Sequence, residues 1–229
     1  MSDALSEQVL KANLALPAHG LVTLTWGNAS GIDRERGLMA IKASGVAYAE
    51  MGIADVVLVD VSSGETVQGE RRPSTDTPTH LALYRRYATI GGVVHTHSTW
   101  ATAWAQAERE IPVLGTTHAD LSADPIPLTR ALTDEEVQGD YEAATGQLLI
   151  EAVGDRAEEL PCALVRGHAP FCWGRDPAAA VEVAVTLEEV ARLALLSTVL
   201  DPSAGPLPAA VRRKHFERKH GPRSYYGQP

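Results

Sequence analysis

Cysteine is scarce in this sequence. Among its 229 residues only Cys162 and Cys172 carry thiols, which excludes a fold stapled by several disulfides and points to a reducing compartment, the cytoplasm. No apolar run approaches the roughly 18 residues that a membrane-spanning helix needs. The opening Met1-Ser2-Asp3-Ala4-Leu5-Ser6-Glu7 carries acids where a secretory signal would be basic. The glycine-rich dinucleotide fingerprint and the G-x-x-x-x-G-K-[ST] loop are both missing, so nicotinamide and P-loop chemistry are unsupported. Positive charge is short as well: 20 Lys and Arg face 29 Asp and Glu, a net charge of −9. Such a chain is a poor nucleic-acid binder, because the duplex is itself a dense polyanion. The deficit is uneven, since residues 212–223 hold Arg212, Arg213, Lys214, Arg218, Lys219 and Arg223 against Glu217 alone. The rest of the chain then stands at 14 bases against 28 acids, so a basic tail follows an acidic body.

What is present suits an ordinary globular protein: 45% hydrophobic and 21% charged residues, enough for a full core. Without repeats or low-complexity blocks, residues 1–229 read as a single domain. Apolar spacing predicts a helix from Asp3 to about Leu16, stopped by Pro17 and Gly20. Strands are expected at Leu21–Trp26, Leu38–Lys42, Val56–Val61, Val93–His97 and Cys162–Val165, with extended segments at Ile111–Leu114 and Ile126–Leu128. Helices are expected from Thr77-Pro78 to about Tyr87, from Ser98 to about Glu108, and from the capping box Thr133-Asp134-Glu135-Glu136. A long helix opens at Asp176-Pro177 and runs to about Leu200, Pro202–Pro208 is a linker, and the tail from Ala209 to Gly221 is helical. Leu148–Val153 fits either state. Several strands adjoin strands, which implies a mixed or antiparallel sheet covered by helices.

Three groups of residues can carry chemistry. In Val94-His95-Thr96-His97-Ser98 the two imidazoles project from one face of a strand, and imidazole is the commonest metal ligand. A lone His-x-His pair fits a structural role as readily. His168, at the end of a strand after Arg166-Gly167, and Asp76, before the Thr77-Pro78 helix start, extend the set; Asp76 also reads as a helix cap. Three imidazoles and a carboxylate suit zinc, manganese or cobalt with a position left for substrate. The small-residue turns Gly27-Asn28, Ser44-Gly45 and Ser74-Thr75, with Lys42 nearby, can form anion-binding nests, although such residues also serve turns for conformational reasons alone. Asp120, in Thr116-Thr117-His118-Ala119-Asp120, is either a general base or a turn acid. The chain ends Ser224-Tyr225-Tyr226-Gly227-Gln228-Pro229. Two of only 12 aromatics placed there favour docking, on the core or on a neighbouring subunit, over disorder.

These residues carry a resemblance. The segments ANLALPAHGLVTLTWGNAS, PSTDTPTHLALY, GGVVHTHSTWAT, GTTHAD, GHAPFCWG and the terminal KHG…YYGQ together resemble, end to end, the L-ribulose-5-phosphate 4-epimerases of the class II aldolase and adducin superfamily. The resemblance implies a three-layer α/β fold with a central, mainly antiparallel sheet flanked by helices. It places the ligands of a zinc ion (or Mn2+ or Co2+), one per subunit, on Asp76, His95, His97 and His168. Phosphate-binding turns fall on Gly27, Asn28, Ser44, Gly45, Ser74 and Thr75 beside Lys42, and an acid/base pair falls on Asp120 and Tyr226, supported by Glu142 and His215. It further implies a homotetramer with active sites between subunits, in which the tail of residues 209–229 brings Tyr226 to a neighbour. The setting implied is pentose phosphate metabolism, in arabinose or ascorbate use, with no nucleic-acid or membrane partner. Ala43 and Thr75 depart from the usual Lys-Pro-Ser-Gly and Ser-Ser-Asp patterns, and Arg166-Gly167-His168 from His-Ser-His; Thr75 keeps its hydroxyl. The related aldolases carry Glu where Asp76 stands, which favours the epimerase. The alternatives are a class II aldolase of the fuculose- or rhamnulose-phosphate type, releasing dihydroxyacetone phosphate and an aldehyde, and a non-catalytic scaffold like the adducin head.

Overall fold

The computed structural model describes residues 4–226, so the parts of the expected N-terminal helix at Asp3 and of the tail at 227–229 lie outside the described residues. In chain order the elements are α1 (Ala4–Ala18), β1 (Asn28–Asp33), β2 (Leu38–Lys42), β3 (Val56–Asp60), β4 (Thr66–Gln68), α2 (Thr77–Arg86), β5 (Gly92–His95), α3 (Thr99–Gln106), α4 (Thr116–Leu121), α5 (Asp134–Gln138), α6 (Tyr141–Val153), β6 (Cys162–Leu164), β7 (Pro170–Gly174), α7 (Pro177–Leu200) and α8 (Ala209–His220). The strands form one sheet in the order β4-β3-β2-β1-β5-β7-β6, and every neighbouring pair is antiparallel.

The residues of β1 divide the layers. Successive side chains of a strand face opposite sides. Ser30 Oγ lies 2.7 Å from His80 Nδ1 and 2.8 Å from the Tyr84 hydroxyl, so α2 covers its face. At Gly31 a Cβ would come within 2.7 Å of Pro177 and 3.1 Å of Leu5 and Val9, so α1 and α7 press on the other face. The antiparallel sheet flanked by helices is thus as expected. At Gly92 an added Cβ would lie 2.4 Å from the Asp176 carbonyl oxygen, which seats the start of α7 directly on β5.

The local expectations fare unevenly. The Asp176-Pro177 helix, the Thr133 capping box and the helical tail form where predicted, and Leu148–Val153 completes α6. The expected strand at Leu21–Trp26 does not form. Leu24 sits at φ 53 and Gly27 at φ 88, and Trp26 N–H closes a turn on Thr23 O at 3.1 Å. The strand begins at Asn28 instead. Likewise β5 stops at His95 rather than His97, because its partner β1 starts opposite at Asn28 and offers nothing further to pair with. Asp120 belongs to a helix, α4, not to a turn.

Two buried histidines outside the sheet make the fold sensitive to acid. Burial holds His80 down to about 3, and burial, opposed by backbone carbonyl contacts, holds His118 down to about 4. The unfolded chain, titrating near 6.5, binds protons there that the folded chain refuses. Stability is therefore fully present above about pH 6.5 and declines on acidification, by about 1.4 kcal/mol per pH unit for each histidine once well below that value. Urea unfolding at pH 7 and pH 5 checks this; equal midpoints and slopes would contradict it.

Candidate active site

Sheet register assembles the first cluster. His95 on β5 pairs with Asn28 on β1 and with Phe171 on β7, so all three share the face covered by α2. Phe171 stacks on the His95 ring at 4.2 Å with 15° between the planes. His95 Nδ1 lies 2.9 Å from Pro170 O; donating there keeps the proton on Nδ1 and leaves the Nε2 lone pair free. His97 follows just past the strand. His168 stands in the β6–β7 turn after Gly167, at φ 70, with Nδ1 3.0 Å from the Tyr141 hydroxyl.

The three Nε2 atoms form a nearly equilateral triangle: 3.2 Å between His95 and His97, 3.2 Å between His97 and His168, and 3.3 Å between His95 and His168. A tetrahedral ion with bonds of about 2.0–2.1 Å to nitrogen separates its ligand atoms by about 3.3–3.4 Å. The triangle therefore fits a divalent metal. Burial, aided by neighbouring imidazoles, lowers the pKa of His97 and holds that of His168 down to about 4, so both rings are neutral donors at pH 7.

Asp76 occupies the N-cap position of α2 but its side chain makes no capping bond. Its carboxylate accepts from Asn28 Nδ2 at 2.6 Å and from Ser74 Oγ at 3.4 Å. Burial pushes this carboxyl up, and electrostatic attraction between it and the neighbouring His95 and His80 imidazoles, with the Asn28 hydrogen bond, outweighs it and holds the group below the usual range. Among the described residues, these histidines form the one group of three whose ligand atoms all lie within 4.8 Å of one another; Asp76 borders the same cavity outside that cluster.

That cavity, of about 560 Å³, is also lined by Gly27, Asn28, Lys42, Ser44, Gly45, Ser74, Thr75 and Glu142. The cavity thus brings together sequence-predicted residues from six separate segments. Gly27 tolerates no side chain, since a Cβ would meet the His95 carbonyl oxygen at 2.7 Å; the first turn and the first imidazole are packed back to back. Lys42 is only 2% exposed, its ammonium donating to Ala43 O at 3.2 Å and lying 5.1 Å from the Tyr48 ring centre. Burial lowers its pKa, with Asp55 opposing.

Asp120, His215 and Tyr226 assemble elsewhere. Arg218 clamps the Asp120 carboxylate through Nε at 3.0 Å and Nη2 at 2.7 Å, and His215 Nδ1 lies 3.1 Å from the same group. Burial opposes ionisation of Asp120, but the hydrogen bonds from Arg218 and His215 win and hold its pKa below the ordinary range. The Tyr226 ring centre is 4.6 Å from the Arg218 guanidinium carbon, and Tyr225 and Tyr226 N–H groups donate to Arg218 O. None of the three lines the imidazole cavity. Arg218 and Tyr141 were missed from sequence. The basic run containing Arg218 was visible there, but its partner Asp120 lies 98 residues away.

The chain is similar to known proteins. Residues 7–195 match the model of the class II aldolase and adducin N-terminal domain. The L-ribulose-5-phosphate 4-epimerase UlaF of Salmonella paratyphi B is 57% identical over 226 residues, 98% of either chain, and the Salmonella typhi protein of that name is equally similar. Among solved structures, an L-fuculose 1-phosphate aldolase superposes with a TM-score of 0.83 at 24% identity, covering 95% of this chain and 97% of its own. A sheet of this topology, a metal-fitting histidine triangle on it and a family match over most of the length lead to one placement: the chain belongs to the class II aldolase and adducin family.

Proposed function

We propose that the protein is a metal-dependent epimerase that interconverts L-ribulose 5-phosphate and D-xylulose 5-phosphate, with zinc at the histidine triangle. The observation that carries this reading is the histidine triangle in one cavity with three small-residue turns and a buried lysine, in a chain 57% identical over its length to epimerases of that substrate. His95, His97 and His168 would hold the ion, with Asp76 as the fourth candidate ligand. When bound, the metal supplies Lewis acidity toward the oxygens on C2 and C3 of the sugar.

C4 carries no acidic hydrogen, since the carbonyl stands two bonds away, so direct deprotonation cannot invert it. Cleavage of C3–C4 can. A base takes the C4 hydroxyl proton, the C3–C4 electron pair moves toward the C2 carbonyl, and the products are the enediolate of dihydroxyacetone and glycolaldehyde phosphate. The turns at Gly27-Asn28, Ser44-Gly45 and Ser74-Thr75, with Lys42, hold the phosphate while the aldehyde presents its other face. Re-addition with proton return gives the 4-epimer. Opposite faces need a proton-handling group on each side, the roles we assign to Asp120 and Tyr226, with Glu142 at the cavity wall and His215 beside Asp120.

Because Asp120 and Tyr226 stand apart from the cavity, a neighbouring subunit must bring them. We assign this to a homotetramer in which the tail from residue 209 crosses to the next protomer. No helix among the described residues is long and apolar enough to cross a membrane. The test is incubation of the metal-loaded protein with L-ribulose 5-phosphate, where D-xylulose 5-phosphate is expected as the product. Free two- and three-carbon fragments without the epimer would replace this reading by an aldolase one, and a folded protein that takes up no divalent ion would favour a scaffold.

A further inference from the structure

The first turn of α3 is capped from a distance. Ser98 holds the N-cap position, yet its side chain makes no capping bond. The free N–H groups of Trp100 and Ala101 instead donate to the two oxygens of Glu188, on α7, at 2.8 and 3.0 Å. A carboxylate there also meets the positive end of the helix dipole.

The position of this contact matters for the metal triangle. β5 ends at His95 and α3 begins at Thr99, so His97 sits in the short link between them, with no strand partner. The elements on either side of that link both rest on α7 or its N-cap. Gly92 of β5 abuts Asp176 and Pro177, and Trp104 Nε1 of α3 donates to Ala191 O at 3.0 Å. Of the hydrogen bonds between α3 and α7, the Glu188 pair is the one nearer His97; the Trp104 bond lies a turn further along. We propose that Glu188 is a positioning residue for the reaction: by fixing where α3 starts, it sets the third corner of the nitrogen triangle. The inference rests on the metal reading given above.

Zinc affinity of the folded apoprotein, measured by competition with a chromogenic chelator, tests it alongside thermal unfolding, kcat and KM. Glu188→Ala should weaken zinc binding by about tenfold or more, as loss of a supporting partner does at other metal sites. In that variant kcat should fall, while KM for the sugar phosphate stays within about twofold, because the phosphate turns are untouched. Glu188→Gln, which keeps one of the two acceptors at the same reach, should recover part of the affinity. Trp104→Phe removes the other tie and should lower the melting temperature without changing zinc affinity. If Glu188→Ala does not fold, Glu188→Asp carries the test, with its shortened acid expected to bind zinc several-fold more weakly. Wild-type affinity in the folded variant, or an equal loss in Trp104→Phe, overturns the proposal. A wild-type protein that binds no zinc would instead sink the metal reading itself.

Discussion

His97→Asn abolishes metal binding and lowers turnover by about 1000-fold or more, equivalent to about 4 kcal/mol of barrier. Asparagine is shorter than histidine and leaves one corner of the triangle without a nitrogen, so the remaining imidazole pair, 3.3 Å apart, is too few to retain the ion even with Asp76 beside it. His97 is the right corner to remove. His95 is buried at 2% exposure and stacked on Phe171, so its loss would damage packing as well as ligation. His97 is half-buried, outside the ladder, and its removal relieves crowding among three close lone pairs. The variant should therefore unfold no more easily than wild-type apoprotein. Metal content of the purified variant, together with epimer formation, decides the matter; a full complement of metal with normal turnover would remove His97 from the site.

Tyr226→Phe has the second largest expected effect, and it separates chemistry from assembly. The ring stays, and with it the packing on the Arg218 guanidinium at 4.6 Å; only the hydroxyl that exchanges a proton is lost. General acid or base groups contribute about 100- to 10,000-fold, so epimerisation should fall within that range while metal content and oligomeric state match the wild type. The other face retains Asp120. Hydrogen exchange from solvent is not expected at C4 in either form, since no C–H bond breaks there. Normal turnover by the tyrosine variant would refute its assignment and leave proton return to another group.

How far could the amino-acid sequence be read? Where a local signal carries its own cause, the reading held. Asp176 accepts from Ala179 N–H and Pro177 opens α7; Thr133 and Glu136 cap each other as their spacing requires. The His-x-His pair was legible because a two-residue spacing survives even where the strand ends between the two rings. The failures share a different cause. β1, Asn28–Asp33, is the central strand, yet Ile32 is its single large apolar residue. Its side chains are chosen for contact across the layers, Gly31 for closeness to Pro177 and Ser30 for hydrogen bonds to His80 and Tyr84. Leu21–Trp26 showed the strand-like hydrophobicity that β1 lacks, but Leu24 and Trp26 are exposed. The Asp120–Arg218 clamp was illegible for a plainer reason: no periodicity links positions that only tertiary folding brings together.

The two groups of residues described above occupy different parts of the protomer and share no element: the nitrogen triangle and phosphate turns line one cavity, and Asp120 with its clamp lies on α4 and α8, where α4 packs against α7. On the proposed assignment, a solitary protomer can grip a sugar phosphate and do nothing to it. Catalysis then becomes a property of encounter between copies, lost on dilution before any helix unfolds. Two copies damaged at opposite ends could also repair one another within a mixed ring, each lending the half that the other lacks.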